Sequence, residues 1–265
     1  MSNSKLIGIS LALFLLFATS ALYAAPPGNC SVATLNGSYG FYGYTPATLV
    51  MDPAMRVAIA GIIRFDGKGH LSGESIGNVE GWGAGGVATF EGTYTVNPDC
   101  TYSGEHTGDG ETLHFVETIT GEGMTQETRF VVTDPGWVAL GFERKIQPAG
   151  CSLATLKGSY ALFGEGTVTG LRPPIPMSHV GTVTFDGAGT FFGSDTIMLG
   201  GTMIADMFTG TYAVTEECMV TASIHSDVVG DVQQVGWIVG EGKSTEEHLI
   251  VTNPGFLFVE TTRKQ

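Results

Sequence analysis

The chain has 265 residues, of which 43% are hydrophobic, 14% are charged and 39 are glycine, and its formal net charge is −14. Such a charge disfavours nucleic acid and anionic membranes as partners, because the long-range field repels polyanions. The length behind a short leader suffices for two ordinary domains of about 100–150 residues.

Residues 1–24 read as a secretory signal peptide. Leu6 to Phe17 is an apolar run too short to span a bilayer, preceded by Lys5 and followed by small residues through Ala25, with cleavage expected after Ala24. No second apolar stretch approaches the roughly twenty residues of a membrane helix. The expected product is secreted, extracellular or periplasmic, without stable membrane insertion. Pro27-Gly28-Asn29 is a poor lipobox, and Cys30 has a counterpart in Cys151, so Cys30 is assigned a structural role.

The remainder is one unit written twice. Cys30-Ser31-Val32-Ala33-Thr34-Leu35-Asn36-Gly37-Ser38-Tyr39 returns as Cys151-Ser152-Leu153-Ala154-Thr155-Leu156-Lys157-Gly158-Ser159-Tyr160. Phe65-Asp66-Gly67 returns as Phe185-Asp186-Gly187, and Gly92-Thr93-Tyr94-Thr95-Val96 as Gly210-Thr211-Tyr212-Ala213-Val214. The first repeat is assigned to residues 25–145, a linker to 146–150 and the second repeat to 151–265.

Each repeat holds eight stretches of strand composition bounded by turn residues. In the first they lie near Ser38 to Tyr44, Val57 to Phe65, His70 to Asn78, Val87 to Val96, Thr101 to His106, Thr112 to Thr120, Thr125 to Thr133 and Trp137 to Arg144. Even spacing without a helical period predicts an all-β chain of two tandem eight-stranded up-and-down antiparallel β-barrels. Asp66-Gly67 reads as a type I′ hairpin turn. Ser31 and Ser152 read as N-caps of one helical turn before strand 1, closed by Gly37 and Gly158.

Alternation assigns inward faces. Phe90, Gly92, Tyr94 and Val96 share one face of strand 4, and Phe208, Gly210, Tyr212 and Val214 repeat it. Ile59, Gly61, Ile63 and Phe65 share one face of strand 2, matched by His179, Gly181, Val183 and Phe185.

Four cysteines allow three pairings. The repeat selects Cys30 with Cys100 and Cys151 with Cys218, each tying the entering segment across a barrel floor. No CxxC occurs, and the spacing fits no zinc pattern, so no metal or cofactor is expected.

Turns fall alternately at the two barrel ends, and the spacing between the copies changes only in connections at the end opposite the cysteines. That end is therefore the one free to specialise. Its first connection is apolar in both copies: Leu49, Val50, Met51, Pro53 and Met55, then Leu171, Pro173, Pro174, Ile175, Pro176 and Met177. It reads either as barrel-to-barrel packing or as a lid over an apolar cavity.

Gly37-Ser38-Tyr39 before strand 1, with Arg144 closing strand 8, resembles the Gly-x-Trp and closing arginine of the lipocalin (calycin) barrels, and Gly158-Ser159-Tyr160 with Arg263 repeats it. The resemblance implies a ligand-holding barrel in which Arg lies over the Tyr ring, with Tyr departing from the family's Trp. Short strands and abundant glycine are also similar to the allene oxide cyclase and dirigent barrels, which implies cyclase or isomerase chemistry. The whole repeat resembles a group of uncharacterised secreted bacterial proteins, a likeness that carries no function.

Two histidines fall on otherwise apolar interior faces: His106, where the second copy has Ile224, and His179, where the first has Ile59. An interior histidine is more often a satisfied core residue than a site. Glu117 shares a face with Leu113, Phe115 and Ile119, and a carboxylate there is costly unless paired. His106 and Glu117 are thus the candidate acid/base couple. Gly81-Trp82-Gly83-Ala84-Gly85-Gly86 lacks the ending of a phosphate loop and reads as a flexible connection.

The sequence thus supports three readings. The first is a binder of an apolar small molecule, with Phe90, Tyr94, His106, His179, Phe208 and Tyr212 as ligand contacts. The second is a cyclase or isomerase using His106 or Glu117, and the third is a structural or surface module. The sequence does not define oligomeric state.

Overall fold

A computed structural model describes residues 29–48, 55–80 and 82–265. The leader with its cleavage point, and Leu49, Val50, Met51 and Pro53 of the first apolar connection, lie outside the described residues.

The first repeat forms β1 (Asn36–Thr48), β2 (Met55–Asp66), β3 (His70–Val79), β4 (Gly83–Val96), β5 (Thr101–Gly108), β6 (Glu111–Thr120), β7 (Glu127–Val132) and β8 (Trp137–Lys145). The second forms β9 (Lys157–Val168), β10 (Ile175–Asp186), β11 (Thr190–Leu199), β12 (Thr202–Val214), β13 (Met219–Ser226), β14 (Gly230–Val239), β15 (Glu246–Val251) and β16 (Phe256–Lys264). Each set pairs in sequence order and closes, β1 on β8 and β9 on β16, into an eight-stranded antiparallel barrel. Closure removes every sheet edge, so each backbone ladder is satisfied without a second layer.

The inward faces follow the alternation. Phe41, Ile63, Phe65, Phe90, Tyr94, Tyr102 and Phe115 form the interior of the first barrel. The floor is sealed by the segment before strand 1. Tyr94 donates its hydroxyl to the Leu35 carbonyl at 3.0 Å, and Tyr212 does the same to Leu156 at 3.0 Å. Cys30–Cys100 and Cys151–Cys218 fasten the same segments to the turn after the fourth strand of each repeat. Disulfides of this kind point to an oxidising, non-cytoplasmic location. Among the described residues no helix is long and apolar enough to cross a membrane.

Four local expectations are corrected. The Asp66-Gly67 hairpin is a three-residue loop, Gly67 to Gly69, because the Asp66 carboxylate accepts the Lys68 and His70 amides at 2.7 and 3.0 Å. Gly83 to Gly86 is strand, paired through Gly83↔Val79 and Ala84↔Asn78, leaving Trp82 exposed in the short turn. Ser31 and Ser152 are N-caps of one 3-10 turn, each amide donating to the Thr34 or Thr155 hydroxyl at 2.9 and 3.0 Å, but the turns close at Leu35 and Leu156 instead of Gly37 and Gly158. The cation over the Tyr39 ring is Lys145 at 5.7 Å, and over Tyr160 it is Lys264 at 5.9 Å. Register explains this last change: Tyr39 pairs with Lys145, while Arg144 pairs with Gly40 and faces outward.

Facing outward, Arg144 meets Glu246 of the second barrel at 2.5 Å in a buried ion pair. The outer face of β1 and β2 (Tyr42, Ala58, Ala60, Ile62) packs on the outer face of β14 to β16 (Val235, Trp237, Ile250, Val259). Asn78 donates across it to the Val251 and Phe256 carbonyls at 2.7 and 2.8 Å. Close approach requires Gly40, because a Cβ there would lie 2.6 Å from Val239 Cγ1 and 2.9 Å from Trp237 Cβ.

Gly40→Val is therefore expected to cost about 1–3 kcal/mol by overpacking the contact between barrels, read as a lower denaturant midpoint at unchanged slope. Replacing Cys30 and Cys100 together by serine should cost roughly 4 kcal/mol, since the closed loop spans 70 residues.

Candidate functional site

Above the aromatic floor the first barrel holds a cavity of about 160 Å³. Its wall is apolar: Phe41, Phe90, Phe115 and Phe130, with Ile59 and Leu113 higher up. Only a few polar groups reach it, among them His106, Glu117 and Glu143.

His106 and Glu117 line the same cavity at different depths. His106 pairs with Leu113 across β5 and β6, whereas Glu117 pairs with Tyr102, and the Gly104↔Phe115 pair lies between them. The ring of His106 lies 4.7 Å from that of Phe90 and 6.0 Å from that of Phe115. Burial in this sleeve lowers its pKa, so the imidazole is held neutral, and its Nδ1 is buried with no hydrogen-bond partner.

The partner of Glu117 is a second carboxyl. Glu143, on β8, faces the same interior through its pairing with Thr128. The Thr128 hydroxyl lies 2.6 Å from Glu117 Oε2 and 3.0 Å from Glu143 Oε2, and it can donate to only one at a time. Tyr102 donates to Glu117 Oε2, and its oxygen is 3.2 Å from Glu143. Among the described residues no cation pairs with either acid; burial raises both, with repulsion from Glu143 adding to the rise at Glu117. Glu143 is pushed up to about 7 and Glu117 well above the carboxylate range. Two buried carboxyls around two hydroxyls are stable only while protons are shared among them. This cluster can donate or accept a proton near neutral pH.

The second barrel is filled differently. His179, on β10, meets Asp195 at 2.5 Å through Nδ1 and Glu260 at 3.2 Å through Nε2, the latter too poorly aligned for a hydrogen bond. Gln234 donates to Glu260 at 3.0 Å. Burial works against the histidine's charge, but the two carboxylates outweigh it and lift its pKa to about 9. This polar plug leaves a cavity of only about 60 Å³, lined also by Phe208 and Asp206.

Of the sequence-derived ligand contacts, Phe90 and His106 line the larger cavity, and His179 and Phe208 the smaller. Tyr94 and Tyr212 lie below them in the floor, held by their hydroxyl bonds to the entering segment. Glu143, Asp195 and Glu260 were not anticipated. The signal for Glu143 was the inward face Ala139, Gly141, Glu143, which the motif reading of the adjacent Arg144 obscured.

No family model matches the chain, and no curated protein does. Solved structures similar to it include these two. Kievitone hydratase from Nectria haematococca is 9% identical, covers 92% of this chain and 94% of its own, and has a TM-score of 0.34. An AttH-like protein from Nitrosomonas europaea is 6% identical over 86% of this chain and 92% of its own, with a TM-score of 0.26. Likeness at these scores says nothing about chemistry.

The raised carboxyls fix the sign of a pH dependence. A folded-state carboxyl pKa above the unfolded value contributes stability that is present in acid and lost as pH rises through the folded pKa. Glu143, at about 7, and Glu247, which burial raises to about 8 in the second barrel, define that window. Glu117→Gln retains an acceptor for Tyr102 but removes the proton that must leave. Its melting temperature is expected to exceed that of the wild type at pH 8, and the gain should vanish near pH 5.

Proposed function

We propose that the chain is a secreted protein whose first barrel binds a small apolar molecule about the size of one aromatic ring, carrying one polar group. The observation that carries this reading is the cavity of about 160 Å³, walled by phenylalanines and floored by the buried acids Glu117 and Glu143, which burial favours in their neutral forms. An apolar cavity of about 150 Å³ accommodates benzene. A neutral carboxyl offers both a donor and an acceptor, so a hydroxyl or amino group on the ring would be satisfied at the floor. Neutral His106 provides a second polar contact nearer the mouth.

A second reading, proton transfer within the bound molecule, is favoured by one feature: Glu143 at about 7 has the value a general acid needs at neutral pH. Isomerisation or cyclisation of an apolar substrate would use that acid, with Glu117 as its proton-sharing neighbour.

Native mass spectrometry and calorimetry with benzene, phenol and benzyl alcohol test the binding reading. One equivalent is expected to bind the wild type. Ala139→Phe, which fills the cavity, should abolish binding, whereas Phe208→Ala in the other barrel should leave it unchanged. Glu117→Leu should weaken phenol by about tenfold while sparing benzene, the value of one buried hydrogen bond. Absence of binding by all three compounds would overturn the reading. For proton transfer, carbon-bound hydrogen of a bound compound should exchange in D2O with the wild type and not with Glu143→Gln.

A further inference from the structure

The contact between the two barrels is head-to-tail: the β1–β2 face of the first repeat meets the β14–β16 face of the second. Because the chain is a repeat, each of these faces has a counterpart that carries exposed apolar side chains, although the intramolecular contact reaches β9 at Thr167, which accepts from Arg56 at 3.0 Å. The counterpart of the β1–β2 face lies on β9 and β10. There Phe163 replaces Tyr42 and Val180 replaces Ala60, paired side by side and 54% and 62% exposed. The counterpart of the β14–β16 face lies on β6 to β8. There Val116, Val131 and Leu140 replace Val235, Ile250 and Val259, and they are 45%, 49% and 50% exposed.

We propose that these two open faces bind one another between two copies of this chain, repeating the internal contact head-to-tail. Three features support a second copy as the occupant. First, apolar side chains stand exposed at the positions equivalent to those that carry the internal contact.

Second, the charges match. The internal contact is fixed by Arg144 against Glu246. Their counterparts are Arg263, which is 67% exposed and holds Glu246 at 3.1 Å within its own chain, and Glu127, which holds Arg129 at 3.2 Å; Glu246 keeps Arg144 if Arg263 turns to Glu127 of the next copy.

Third, the sizes compensate. Internally, Gly40 is required because Trp237 and Val239 press on it. Its counterpart is Ala161, and the residues it would meet are Thr118 and Thr120, smaller than the Trp and Val that they replace. The extra methyl on one face is thus matched by volume removed from the other.

A head-to-tail contact of this kind closes into a ring or propagates.

Sedimentation velocity of the purified chain over a wide concentration range tests this inference. The wild type is expected to associate reversibly. Phe163→Arg and Leu140→Arg should each weaken association at least about tenfold. Mixing the two variants should restore a dimer, because each retains the face that the other has lost. Val131→Glu serves in place of Leu140→Arg if that variant fails to fold. Arg263→Glu should also weaken association, and adding Glu127→Arg in the same chain should recover part of it. A wild type that stays monomeric at every concentration, association indifferent to both arginine variants, or a mixture no more associated than its components would overturn the inference.

Discussion

Glu117 and Glu143 face the interior of the first barrel with hydroxyls beside them and, among the described residues, no cation, and this determines what the cavity above them can be. Ionising both would place two negative charges in a low-dielectric interior, which favours the neutral carboxyls and makes ionisation costly to the fold. The acids therefore keep protons, and the apolar wall gains a floor that both donates and accepts. Around that floor the aromatic layer, the tyrosine-bonded plug and the disulfide all act to exclude water from below. Access is left to the opposite end.

The two barrels solve the same interior problem with different residues. In the first, Thr128 on β7 faces Glu143 on β8; in the second, Glu247 on β15 faces Thr262 on β16, the same pair with its members exchanged between strands. The Thr262 hydroxyl donates to Glu247 at 2.6 Å, as Thr128 does toward its acids. One buried acid bonded to a threonine is thus common to both. Glu117 is particular to the first barrel, where Gly236 stands in the second, and it turns one acid into a proton-sharing pair. His179, Asp195 and Glu260 are particular to the second, where they consume the volume that the first leaves open.

Much of this was legible because strands alternate with period two and because the chain repeats itself. The strand count, the closure, both disulfides and the inward placement of Phe90, His106, Glu117 and His179 follow from those two regularities. What failed depended on neighbours in space. Tyr94 was placed on the correct face, but its depth is set by the Leu35 carbonyl of the plug. The motif at Arg144 suggested a ring partner, yet a one-residue difference in parity gives that role to Lys145 and sends Arg144 to Glu246. Which barrel is hollow depends on Asp195 and Glu260 converging on His179 from β11 and β16, and no local pattern records that convergence.

The central claim is that the first barrel holds the larger apolar cavity, about 160 Å³, while the polar plug leaves about 60 Å³ in the second. Crystals pressurised with xenon test it most directly, since the gas enters apolar cavities of this size without needing a specific polar partner. Density for one xenon atom between Phe115 and Phe130, with none beside His179, is the predicted result. Xenon absent from the first barrel, or bound only in the second, would contradict the account.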